Sequence, residues 1–220
     1  MRLTIASKGE ARVYGIIAPV IGLLLCVQSF SLFVGSVLLI PGNPVLRNID
    51  YQEPVSEKSL ELLIDSRKNA LEWHERTLTW SDLGLAEIVL SEKLKGAART
   101  GALEKAKTAL RNGLAIAPAD PYAWILLAQV LLDLAGPSTA AGEAVSLGLA
   151  TGPDEHLRGF EKLKAGVRLW DYLSQGDRSK LRRLVRHRWE YKPLGTKAIF
   201  QQANRTGLFF ELLDIEPDPP

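Results

Sequence analysis

Residues 118–153 read PADPYAWILLAQVLLDLAGPSTAAGEAVSLGLATGP. Pro118 ends one helix, and Pro121 stands where a first-turn proline is welcome. The apolar run Tyr122 to Ala135 is stopped by Gly136-Pro137. Ser138 or Thr139 then caps a second helix, which ends at Thr151-Gly152-Pro153. The stretch is a helical hairpin. Its bounding prolines, Pro118 and Pro153, each close a helix and precede an aspartate and another helix.

The same periodicity extends in both directions. Upstream, Leu60, Leu63, Ile64, Leu71 and Leu78 predict a helix over about Ser56–Thr77. Leu83, Ala86, Leu90 and Leu94 predict one over Ser81–Ala98, broken by Arg99-Thr100-Gly101. A third covers Ala102–Ala117, with Leu103, Ala106, Leu110 and Leu114 apolar. Downstream, helices are expected over Asp154–Leu173, from Gly176-Asp177 to about Tyr191, and over Thr196–Arg205. No alternating β-branched run of useful length occurs, so the chain reads as all-α. Residues 206–220 read as an acidic, proline-rich tail, and Glu211 to Pro220 is expected to be disordered.

Small residues recur where paired helices must cross. Trp124, Leu127 and Ala128 mark the first helix of the quoted hairpin, and Ala140 the second. Counting back from Pro118, Ala106, Leu110 and Gly113 hold small, bulky and small positions. Trp80, Leu83 and Gly84 repeat the first-helix spacing. The pattern resembles the tetratricopeptide-repeat family, best over Ala102 to Pro153. It departs from that family in two places: Pro153 comes one residue late, and about ten extra residues precede Ala106. The resemblance implies a solenoid of antiparallel helical hairpins over residues 56–205, an unrelated helical bundle being the other reading. In that family partners meet the inner side of each first helix. Carried onto this chain, those positions are Tyr122, Ile125, Gln129 and Asp133. Tyr122 and Ile125 can equally pack on the neighbouring hairpin.

The N-terminal part is a different material. No charged residue occurs from Val13 to Leu46. A helix needs about 20 apolar residues to cross a bilayer core of about 30 Å. A secretory signal has an apolar region of only about 7–15 residues. Residues 13–40 therefore read as one uncleaved transmembrane helix, a long cleaved signal being the other reading. Arg2, Lys8 and Arg12 precede it, and only Arg47 follows closely. That bias puts residues 1–12 in the cytoplasm and the rest across the membrane. In a bacterium this is a single-pass inner-membrane protein with a periplasmic domain. Ser31 and Gly35 share a face of the span, a small-residue pattern that lets helices approach. Pro41, Gly42 and Pro44 stop the helix, and residues 41–55 read as a linker.

Composition excludes several chemistries. One cysteine, Cys26, lies in the span, so no disulfide framework or Cys-rich zinc site is expected. His74, His156 and His187 are scattered and lack metal-ligand spacing. There is no phosphate-binding glycine loop, nucleophile elbow or cofactor motif, so neither a reaction nor a cofactor is expected. Lys+Arg 27 against Asp+Glu 25 shows no bias toward nucleic acid. The charge anomaly is Asp177–Lys192, with seven bases against two acids. Arg178, Arg182, Arg183 and Arg186 lie opposite the apolar Leu181, Leu184, Val185 and Trp189. They form either a solvated face neutralised by nearby acids or a site for an acidic polysaccharide, a lipid headgroup or an acidic protein. The functional expectation is a membrane-anchored scaffold binding other envelope proteins, with polysaccharide biosynthesis or export as the favoured setting. The alternative is a structural subunit acting mainly through its transmembrane helix.

Overall fold

A computed structural model describes residues 8–152 and 159–215. The start of the N-terminal segment expected in the cytoplasm, the start of the helix expected from Asp154, His156, and the end of the expected acidic tail lie outside them. The described residues are helical with no strand. The helices are α1 (Lys8–Leu39), α2 (Asn43–Asp50), α3 (Glu57–Trp73), α4 (Thr77–Lys93), α5 (Gly96–Ile116) and α6 (Pro121–Ala135). They continue as α7 (Thr139–Thr151), α8 (Gly159–Arg168), α9 (Gln175–Tyr191), α10 (Pro193–Gln202) and α11 (Thr206–Leu213). Short 3₁₀ turns cover Ile40–Gly42 and Trp170–Tyr172.

Side-chain caps fix many of the starts. Ser56 Oγ accepts from the Ser59 N–H, and Asp120 accepts from the N–H groups of Tyr122 and Ala123 ahead of Pro121. Ser138 caps α7 and Ser174 caps α9. Each cap satisfies donors that a helix start leaves free. Gly136 ends α6 at φ +77°, where only glycine sits without strain.

Several expected boundaries move. The break expected at Arg99-Thr100-Gly101 falls instead at Leu94-Lys95. Gly96 takes φ +56° at the start of α5, whereas Gly101 faces open space within the helix. An exposed mid-helix glycine costs only about 1 kcal/mol against alanine. The expected linker is largely structured: Ile40–Gly42 is a 3₁₀ turn and α2 follows. Pro41 and Pro44 lie in the first turns of these elements, where proline starts a helix rather than ending one. The helix expected over Thr196–Arg205 is α10, which starts three residues earlier, and a further helix, α11, follows after Asn204 at φ +54°. α11 carries the chain through Leu213, with Phe209 and Leu212 buried, so the expected disorder from Glu211 begins too early.

From α3 to α9 successive helices run antiparallel and pack on one another. The crossings of α4 with α5 use the small residues expected there. A Cβ on Gly84 would lie 2.7 Å from Leu110, and one on Gly113 would lie 3.1 Å from Trp80. In the α6–α7 hairpin a Cβ on Gly148 would lie 2.8 Å from Ile125. Here one expected residue is displaced: Ala140 is exposed and its neighbour Ala141 is fully buried. Pro153, expected to close this hairpin, lies outside the described residues. Trp124 packs against both the α4–α6 cluster and the larger C-terminal cluster, and its indole N–H donates to the Pro118 carbonyl at 2.8 Å.

The long N-terminal helix is long and apolar enough to cross a membrane, and its apolar window is almost entirely uncovered. Its C-terminal end, however, belongs to the folded body. Gly35 lies beside Ala70 and His74, and the Ser31 hydroxyl donates to the Trp73 carbonyl. Phe30 meets Trp73 edge-on at 6.1 Å between ring centroids. The small-residue face of α1 is thus spent on α3 of the same chain. Arg67, 1% exposed, ties the joint: it donates to the Leu39 carbonyl at 3.0 Å, to Asn43 at 2.9 Å and to Asp82 at 3.1 Å.

Candidate partner-binding groove

The described residues form an open groove of about 1290 Å³. Every second helix lines it: α4 through Ile88 and Glu92, α6 through Tyr122, Leu126 and Gln129, α8 through Lys164 and Arg168, and α10 through Ile199 and Gln202. One wall is the end of α2 and the segment after it, with Arg47, Tyr51 and Glu53. This arrangement follows from antiparallel succession, which puts alternate helices on one side. The polar lining is balanced, with Arg47, Lys93, Lys164 and Arg168 facing Asp50, Glu53, Glu92 and Glu161. Apolar strips between those charges suit a polypeptide segment better than a polyanion.

The four positions implied by the family resemblance divide. Tyr122 and Gln129 line the groove, together with Leu126, at helical spacing on one face of α6. Ile125 is 2% exposed and packs against Gly148, which spends it on the hairpin interior. Asp133 is half-buried and ion-paired with Arg168 at 3.5 Å across α6 and α8. The contributions of α2, α8 and α10 were not foreseen. The α2 wall was hidden because Pro41 and Pro44 read as breakers, although Val45, Leu46 and Ile49 have helical spacing. The arginine of that wall stacks over Tyr51, 5.6 Å from guanidinium carbon to ring centroid.

The basic helix α9 is largely engaged internally. Arg178 donates to the carbonyls of Trp170 and Asp171 and lies over the Trp170 ring at 5.4 Å. Arg182 approaches Glu211 at 4.0 Å, and Arg186 pairs with Asp214. Arg183 is exposed. Glu211 and Asp214 belong to the expected acidic tail, so that segment neutralises part of the α9 face. Nearby, Arg205 pairs with Asp171, and that hydrogen bond holds the Asp171 carboxyl below its ordinary range. No group of three or more potential metal-ligating side chains occurs among the described residues.

Neither a family model, a curated protein nor a solved structure matches this chain. The groove and the long apolar α1 therefore carry the functional reading.

Proposed function

We propose that this protein is a membrane-anchored scaffold of tetratricopeptide-like helical hairpins that holds a segment of another envelope protein. The carrying observation is the groove lined by α4, α6, α8 and α10. The glycine-to-bulky crossings Gly84–Leu110, Gly113–Trp80 and Gly148–Ile125 support the hairpin reading. Repeated hairpins stack to bury faces that none can bury alone, and the stack leaves an extended concave surface. The apolar, uncovered stretch Pro19–Phe30 of α1 supports the anchor, and the flanking Lys and Arg favour a cytoplasmic N-terminus with the domain on the far side of a bacterial inner membrane.

Two details weigh between partners. The Ser31–Gly35 face, which would have suited a second transmembrane helix, is covered by α3. That disfavours a subunit acting mainly through its span. Three of the four singled-out arginines of α9 hold partners within the chain, so an acidic polysaccharide gains little support there. The groove is the better seat, and a peptide with both charge signs and apolar side chains fits it. This role requires no chemistry at the groove.

The test places a photo-crosslinking residue at Gln129 in the full chain in native membranes, with Arg111 on the outer side as control. A discrete protein adduct from Gln129 and none from Arg111 is the expected result. Absence of a Gln129-specific adduct overturns the groove as a docking site.

A further inference from the structure

The path of α1 fixes which edge of the helical domain lies nearest the bilayer. α1 runs antiparallel to α3: Leu39 lies against Arg67, Gly35 against Ala70 and His74, and Ser31 against Trp73. The chain therefore leaves the domain at the C-terminal end of α3. Residues 13–30 remain beyond that point, about 27 Å of helix at 1.5 Å per residue. That length matches a hydrocarbon core of about 30 Å. The headgroup level then falls at Phe30 and Trp73.

From α3 to α9 successive helices alternate in direction, so the turns after α3, α5 and α9 share this edge. It carries much of the apolar surface that the helical body leaves exposed. Trp73 is 47% exposed, Leu78 65% and Ile116 48%. The edge continues to Tyr191 and Leu194, the latter 84% exposed. Arg76 stands exposed between Trp73 and Leu78. The opposite edge has Gln52-Glu53-Pro54, Lys93-Leu94-Lys95 and Gly136-Pro137-Ser138 at its turns, and its large exposed side chains are the tyrosines Tyr51 and Tyr172. Exposed leucine and isoleucine on the edge from which the anchor emerges match the composition of an interfacial contact, with tryptophan and arginine at headgroup depth.

We propose that this edge rests on the lipid bilayer, inserting Trp73, Leu78 and Ile116 at the headgroup level. The occupant is the bilayer rather than a protein because the patch is continuous with α1, through the contact of Phe30 with Trp73. With α1 embedded, the second contact is intramolecular, so a few side chains suffice to hold it. The joint at Arg67 fixes the angle between anchor and domain, so the groove is presented at a set height and attitude above the membrane. This inference rests on the anchor reading above.

The experiment uses the full chain in vesicles of phosphatidylethanolamine and phosphatidylglycerol with brominated acyl chains. In a Cys26→Ser background, single cysteines replace Leu78 or Ile116, with Lys95→Cys and Thr139→Cys on the opposite edge as controls, each carrying a small fluorophore. Quenching by the lipid bromines several-fold greater at Leu78 and Ile116 than at the controls is expected. Equal quenching at all four positions in a protein that resists alkaline carbonate extraction overturns the bilayer contact while leaving the anchor intact. Shielding of Leu78 and Ile116 that tracks protein density without bromine quenching assigns the edge to a second copy and overturns it as well. Extraction of the protein by carbonate overturns the anchor and the contact together.

Discussion

Glu87 is 2% exposed on α4, and its Oε2 has no hydrogen-bond partner. Burial pushes its carboxyl above the ordinary value, while Lys105 on α5 and Lys68 on α3 pull the other way. A carboxyl whose folded pKa is raised binds its proton more tightly in the folded state. Its contribution is most favourable below the ordinary carboxylate range and is lost as pH rises from 4.5 through the raised value. Glu87→Gln removes the charge that must be buried at neutral pH. The variant should melt above the parent at neutral pH, and the gap should close toward about pH 4, where the parent is itself protonated. A parent that outlasts the variant at neutral pH would mean that the ionised carboxylate is favourably held. Nothing in the sequence singles out Glu87. It is one acid among many on helices, and only the packing of α3 and α5 on either side of α4 makes it different.

At the scale of the helix pair, the small residues at crossings were legible wherever a bulky partner fixed the register. Gly84, Ala106, Leu110 and Gly113 all occupy the crossing of α4 and α5, and Ala106 is fully buried. The extra residues before Ala106, which made that pair look irregular, lie in the first turns of the long α5 and leave the crossing intact. In α7 the count from the repeat points to Ala140, but Ser138 caps the helix and turns Ala141 inward instead. Ala141→Trp should therefore overpack the α6–α7 interface and cost about 1–3 kcal/mol or more. Ala140→Trp, one residue away, should stay within about 0.5 kcal/mol of the parent. Thermal or denaturant melts of the two variants separate the registers, and equal losses would argue against both. The short helices α2 and α11 were harder to see. α2 begins beside a proline that also signals a helix end, α11 runs into an acidic, proline-rich stretch, and eight residues carry too few periods to outvote such signals.

For the molecule as a whole, the boundary between the apolar N-terminal helix and the helical domain is not where the prolines suggest. The expected domain begins at residue 56, yet the folded body reaches back into α1. Val45 is 8% exposed in a cluster with Leu63 and Ile64, and Leu46 and Ile49 pack against it. Arg67 takes two of its acceptors, the Leu39 carbonyl and the Asn43 side chain, from residues a domain starting at 56 would lack. Removing them leaves a buried guanidinium with Asp82 as its remaining charged partner. A hydrogen bond to a charged group contributes about 1.5–3 kcal/mol, and two are lost. Losing the burial of Val45 adds about 1.5–3 kcal/mol. A chain covering residues 30–215 should therefore be several kcal/mol more stable than one covering 56–215, both measured by denaturant unfolding in the same mild detergent, which shields Phe30 and Phe33. Restoring residues 39–50 alone, without the rest of α1, should recover most of the difference, because α2 and the Arg67 acceptors return together. Equal midpoints for the 30–215 and 56–215 chains would mean that α1 and α2 merely lie against a domain complete without them, and the fixed angle between anchor and groove would lose its physical basis.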